Sequence, residues 1–207
     1  MNLNISALKK WLYAVNSEMQ QNKDYLSELD QSIGDGDHGY NVARGFHEAA
    51  AKIENADYED AGSLLKDTAM TLISKVGGAS GPLYGTAFLK AADTLKDVTS
   101  LTEEHLAEAL QAAINGLKQR GKAEIGDKTM LDVWVPVCEY IRAGSVNADQ
   151  LKSTAREAAE STKPMTAKKG RASYLQERSV DHMDPGAYSS YLLFKAMADI
   201  LHKEGAQ

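Results

Sequence analysis

Along most of this chain the apolar residues recur at every third or fourth position, a period that fits helices and little else. Ile5, Leu8, Leu12, Val15 and Met19 trace one face of a first helix, with Ser6 near its start. Val42, Phe46 and Ala49 open a second, which carries Arg44 on another side. Leu65, Ala69, Leu72 and Val76 keep register in a third, from about Asp60 to Val76. A fourth runs from Pro82 towards Lys96, proline suiting a first helical turn. Leu106, Leu110, Ala113 and Leu117 face one way in a fifth, which follows Thr102-Glu103-Glu104 and ends at Gly121. Met130, Val133, Val137 and Ile141 mark a sixth from Lys128 to Arg142, which Pro136 should kink. An alanine-rich seventh spans Ala148 to Thr162, and Asp184-Pro185-Gly186 starts a last one ending near His202. Strict alternation of β-branched residues is almost absent, so no strand is expected. The pattern predicts an all-α fold of about eight antiparallel helices joined mostly by short loops. A length of 207 residues suits one sizeable core and is too short for two comfortable ones, so residues 1–207 are expected to form a single domain.

Charge and cysteine usage narrow the setting. A net charge of −6 argues against nucleic acid or an anionic membrane as the main partner. No apolar run approaches bilayer length, and Met1-Asn2-Leu3-Asn4-Ile5 does not begin a secretion signal. Cys138 stands alone within Val133-Trp134-Val135-Pro136-Val137-Cys138, the surroundings of a buried small side chain and not of a nucleophile. The expectation is a soluble, cytoplasmic protein.

One stretch concentrates chemistry. Leu29-Asp30-Gln31-Ser32-Ile33-Gly34-Asp35-Gly36-Asp37-His38-Gly39 holds three carboxylates, three glycines and a histidine within eleven residues. Carboxylates so crowded repel one another unless a cation sits among them, and all-oxygen donors favour Mg²⁺ or Ca²⁺. Asp30, Asp35 and Asp37 are therefore candidate magnesium ligands that would in turn hold nucleotide phosphates. A dinucleotide-binding G-x-G-x-x-G is rejected because Tyr25-Leu26-Ser27-Glu28-Leu29 reads as helix, not strand. An EF-hand from Asp35 fails at its sixth and twelfth positions, which are Tyr40 and Phe46. The plain alternative is an acidic turn in which Asp37 caps the next helix.

Other stretches bear on an anionic ligand. Gly77-Gly78-Ala79-Ser80-Gly81-Pro82 either points backbone N–H groups and the Ser80 hydroxyl at a phosphate or simply ends a helix. Gly116 to Ala123 nearly matches a P-loop but lacks the final hydroxyl and the preceding strand. Lys168-Lys169-Gly170-Arg171-Ala172-Ser173-Tyr174-Leu175-Gln176-Glu177-Arg178 concentrates cations in a long non-periodic segment of an acidic protein. Of these Arg178 is singled out, its planar fork suiting phosphate oxygens. His38 is placed to touch a phosphate or a carboxylate, whereas His47, His105 and His202 read as surface residues.

Together the acidic stretch, Val76 to Gly85, Arg120 to Met130, Lys169 to Leu175 and Asp184-Pro185-Gly186 resemble, in the same order, the nucleotide-binding L subunit of dihydroxyacetone kinase. The resemblance implies a barrel of eight antiparallel helices with the nucleotide site at one end. It implies ADP kept as a bound coenzyme with two Mg²⁺ on Asp30, Asp35 and Asp37. It also implies nucleotide contacts from His38, Gly39, Tyr40, Asn41, Ala79, Ser80, Gly121, Met130, Arg178, Asp184, Pro185 and Gly186, with Met130 near the adenine. By the same resemblance the partners are a K subunit that binds dihydroxyacetone and a phosphocarrier M subunit. The M subunit phosphorylates ADP and the γ-phosphoryl passes to the sugar, with no general base on this chain. The resemblance leaves room for an ATP-dependent subunit with exchangeable nucleotide and for a non-catalytic nucleotide sensor.

Overall fold

A computed structural model describes residues 3–205. Among them lie eight α-helices: α1 (Ile5–Ile33), α2 (His38–Glu54), α3 (Ala61–Lys75), α4 (Ser80–Thr94), α5 (Glu103–Gly121), α6 (Leu131–Arg142), α7 (Ala148–Glu160) and α8 (Pro185–Gly205). The all-α expectation holds in outline, with two short antiparallel strands that the sequence pattern did not announce. Leu3 and Asn4 (β1) pair with Leu101 and Ser100 (β2), which ties the entry of α1 to the entry of α5. Strands of two residues are too short for alternation to show. The basic segment is not plain loop either, because Arg171–Ser179 winds into 3₁₀ turns, broken at Gln176 where φ is 51°.

Each helix packs against the next, and α8 returns to α1, so the eight close into a ring. The connections between packed neighbours reverse the chain each time, all of them short except the one from α7 to α8, which contains the basic segment. The loops α1–α2, α3–α4, α5–α6 and α7–α8 therefore gather at one end of the ring. Aromatic contacts fill the middle: Trp11 stacks on Phe88 at 5.8 Å, and Trp134 meets Phe194 edge-on at 5.2 Å. Pro136 lies within α6.

The two ends differ in how their helices start. At the end away from the gathered loops each helix has its own cap. Asn4 accepts from Ala7 N–H at 2.9 Å, Asp60 from Ser63 at 2.6 Å and Asn147 from Gln150 at 3.0 Å. Thr102 and His105 form a reciprocal capping box at α5. At the other end the N-cap residues of α2, α4 and α6, which are Asp37, Ala79 and Met130, make no side-chain capping bond, although Asp30 accepts from His38 N–H in α2 and Thr129 Oγ1 from Leu131 N–H in α6. There α8 is capped by Asp184, whose Oδ2 accepts from Ala187 N–H at 2.7 Å. Leaving first-turn N–H groups without a side-chain acceptor is costly unless water or a ligand meets them. It also leaves three positive helix ends pointing into one space.

Candidate functional site

That space is a cavity of about 410 Å³, lined from all four gathered loops. Its size falls in the range of small-molecule sites.

The acid cluster forms its floor. The helical stripe continues through Leu26 and Ile33, so Asp30 sits in the last turn of α1 and not in the loop beyond it. Asp30 is buried, with its Oδ2 accepting from His38 N–H at 3.1 Å. Burial raises its carboxyl above the usual range, and the nearby Asp35 and Asp37 charges push the same way, opposed by backbone N–H groups of His38 and Asp37. One oxygen from each of Asp30, Asp35 and Asp37 lies within 4.8 Å of the others. Oxygens sharing a hard cation lie no more than about 4–5 Å apart, twice the metal–oxygen distance, so the trio fits Mg²⁺ or Ca²⁺. Asp37 occupies the N-cap position of α2 yet makes no capping bond, which removes the plain reading of this turn and leaves its carboxylate for another partner. Gly34 is required: a Cβ there would stand 2.1 Å from Asp30 Oδ1.

His38 leads into the barrel. Its Nδ1 meets Ser80 Oγ and its Nε2 meets Ser189 Oγ, each at 2.9 Å. Ser189 is also bonded to the buried Tyr84 hydroxyl at 2.7 Å. Trp134 Nε1 donates to Ser190 Oγ at 2.9 Å. Burial pushes the His38 imidazole down to about 4, so it is neutral at pH 7. It orients the Ser80 hydroxyl at the start of α4. Asp184, beside α8, is pushed up to about 7 by burial, and the Asp132 and Asp30 charges add to this against Lys128.

Of the residues singled out in the sequence, Asp30, Asp35, Asp37, His38, Ala79, Ser80, Gly121, Met130, Asp184, Pro185 and Gly186 line this cavity. Three neighbours in α2 do not. Tyr40 is 54% exposed and bonds Asp24 instead. Asn41 supports the glycine loop from behind: a Cβ on Gly77 would come within 2.7 Å of its Oδ1. Gly39 lets α2 approach α1, since a Cβ would stand 1.9 Å from the Lys23 carbonyl oxygen. Arg178 is exposed and off the cavity wall. The arginine brought to the acids is Arg171, whose guanidinium lies 2.9 Å from Asp35 Oδ2. A non-periodic segment has no register from which the sequence can tell the two arginines apart. The sequence reading also missed Lys128, a buried lysine on the wall whose flanking Gly126-Asp127 reads as an ordinary polar turn.

Residues 32–199 match the DAK2 domain family. The chain is 46% identical over 188 residues to the ADP-binding subunit DhaL of PEP-dependent dihydroxyacetone kinase 1 from Listeria innocua, covering 91% of this chain and 92% of that one. It is 45% identical over 205 residues to the corresponding Escherichia coli subunit, covering 96% and 98%. The crystal structure of the C. freundii dihydroxyacetone kinase in its native form superposes with a TM-score of 0.76 at 26% identity, over 93% of this chain. The same kinase in complex with AMP-PNP and Mg²⁺ gives 0.79 at 24% identity over 96%. This chain spans 34% of that kinase, about a third of its length.

Proposed function

The chain belongs to the DAK2 domain family, and from that premise we propose that it is the ADP-binding L subunit of a dihydroxyacetone kinase, with residues 1–207 as one domain. The observation that carries this reading is the convergence, on one cavity, of the starts of α2 and α4, whose N-cap residues make no side-chain bond, and a cluster of three aspartates. Polyphosphate would supply acceptors at the starts of α2 and α4, whose N-cap residues make no side-chain bond, and its charge is compatible with the acids only through a bridging cation. Asp30, Asp35 and Asp37 would hold two Mg²⁺, which supply charge neutralisation on the phosphates.

The chain's own groups position and shield. Ser80, oriented by His38, stands at the start of α4 beside the phosphate position. Arg171 adds a planar cation on the far side of the acids. Met130 gives an apolar wall suited to the adenine. In phosphoryl transfer positioning and charge neutralisation dominate, so this reading calls for no general base on the chain. The neutral, buried His38 has both ring nitrogens engaged by the Ser80 and Ser189 hydroxyls and serves to hold them in place.

With ADP retained as a coenzyme, the phosphoryl group comes from a phosphocarrier M subunit and goes to dihydroxyacetone on a K subunit. Native mass spectrometry tests the site: Asp35→Asn or Asp37→Asn is expected to release metal and ADP together. A variant that keeps stoichiometric ADP overturns the metal bridge. Denaturing the purified wild-type chain and finding no ADP, with free ATP exchange, would replace the coenzyme scheme by an ATP-dependent one. Turnover requires dihydroxyacetone, K protein and phosphorylated M protein together; none with all three present leaves a nucleotide sensor.

A further inference from the structure

For Arg171 to stand beside Asp35, the segment that carries it must be held, and the structure holds it by an unusual device. Lys128 lies between α5 and α6 with φ at 63°, a left-handed conformation uncommon for a residue bearing a Cβ. Its side chain is 1% exposed. The ammonium donates to the carbonyl oxygens of Lys163 at 3.3 Å and Met165 at 2.9 Å, where the basic segment begins, and of Ser179 at 2.6 Å, where its 3₁₀ turns end. An ammonium has three protons, and all three are engaged by backbone. None remains for a phosphate, although the residue lies on the cavity wall.

The same neck is cross-tied elsewhere. Ser179 Oγ accepts from Ala167 N–H at 2.8 Å, and Asp181 N–H donates to the Lys163 carbonyl at 2.8 Å. Residues 163–179 thus form a loop drawn shut at its base. Beyond the base, Ala172 and Leu175 rest with Ala167 on Ile33 at the end of α1, and Arg171 reaches Asp35. Glu177 also accepts from Thr166 across the neck and Lys168 reaches Gly126, but Lys128 is the group that meets three carbonyls at once, and its loss leaves them without that donor.

We propose that Lys128 is a positioning residue: by closing the neck of the 163–179 loop through three backbone carbonyls, it fixes where Arg171 stands against the acid cluster. It thereby sets nucleotide affinity without touching nucleotide. The inference rests on the reading of the cavity as an ADP site.

A double-mutant cycle separates this from a contact or a merely structural role. ADP affinity in excess Mg²⁺ is measured by calorimetry for the wild type, Lys128→Met, Arg171→Ala and the double variant. Amide exchange is followed by mass spectrometry on the same four proteins. Each single change is expected to weaken ADP binding about tenfold or more, the scale of a charged hydrogen bond. The double variant should bind no more weakly than Arg171→Ala alone, and exchange should rise within 163–183 while α1 to α5 keep wild-type protection. Effects that multiply, or exchange that rises throughout the barrel or nowhere, overturn the proposal. Should Lys128→Met fail to fold, Ser179→Ala loosens the same neck away from the cavity wall. It must then show the same local exchange and the same lack of additivity with Arg171→Ala, and failure of either overturns the proposal. A wild-type chain that binds no ADP defeats the functional reading instead, and the exchange arm still decides whether Lys128 closes the neck.

Discussion

Gly34→Ala separates the acid cluster's chemistry from the stability of the barrel. The new Cβ would lie 2.1 Å from Asp30 Oδ1 and 2.9 Å from its Cγ. Contacts shorter than 3.0 Å are essentially never seen for a Cβ, so the carboxylate has to move by about 1 Å. Gly34 has φ at −146°, outside the left-handed region, so the penalty is steric and falls on the ligand. The Asp30 carboxylate is held in place by His38 N–H at 3.1 Å, and a displacement of that size breaks or badly bends this bond. A hydrogen bond to a charged group contributes roughly 1.5–3 kcal/mol, which for a domain of this size corresponds to a fall in Tm of about 3–10 °C. Metal coordination tolerates only about 0.2 Å, so Mg²⁺ affinity should fall by about tenfold to a hundredfold while the fold persists. Gly39→Ala is the counterpart. Its Cβ would meet the Lys23 carbonyl oxygen at 1.9 Å, which is backbone and cannot swing aside. It should therefore lose more stability than Gly34→Ala by thermal denaturation, because α2 must separate from α1. Calorimetric titration with Mg²⁺ and ADP, at a temperature where both variants are folded, gives the comparison. Wild-type Mg²⁺ affinity in Gly34→Ala would refute the assignment of Asp30 as a ligand.

Three further outcomes follow from the same geometry. The Asp184 carboxyl is raised from 3.8 to about 7 in the folded chain, so between these values the folded state holds a proton that the unfolded state has released. Stability from this group therefore falls as pH rises from about 4 to 7 and is flat on either side; Asp184→Asn should remove up to about 4 kcal/mol of that slope, less for the share of the side chain open to the cavity, and equal slopes in urea melts would disprove it. Tyr84→Phe deletes a buried hydroxyl bonded to Ser189 at 2.7 Å and should cost about 1–2 kcal/mol by urea denaturation; an unchanged midpoint would mean the serine chain does not stabilise the barrel. Cys138 is 2% exposed with its thiol raised by burial, so a colourimetric thiol reagent should leave the native chain unlabelled and take one equivalent in denaturant, and prompt native labelling would contradict the packing of α6 on α5.

What the sequence revealed, and what it hid, divides by the range of the interactions involved. The three aspartates are legible because their repulsion is local, within eleven residues. Even so, the stretch does not show that α1 runs on to Ile33, and Asp30 gains its burial from that helix end. Neither the meeting of four loops nor the buried ammonium of Lys128 has a local signal. The lysine's partners lie 35, 37 and 51 residues away, and only closure of the ring brings them to it. Arg171 and Arg178 are seven residues apart in a segment without periodicity, so composition names the segment but not the side chain. One signal was present and unused. Asn4, Asp60, Thr102 and Asn147 are good capping residues, and all four start helices at the far end of the ring. Ala79 and Met130 are poor ones, and both start helices at the cavity, where Asp37 also forgoes its capping bond. Alternate helix starts without caps in an up-and-down ring must all fall at the same end. Helix starts whose N-cap residues make no side-chain bond, collected there, point to an anion site that can be sought from cap residues before any fold is known.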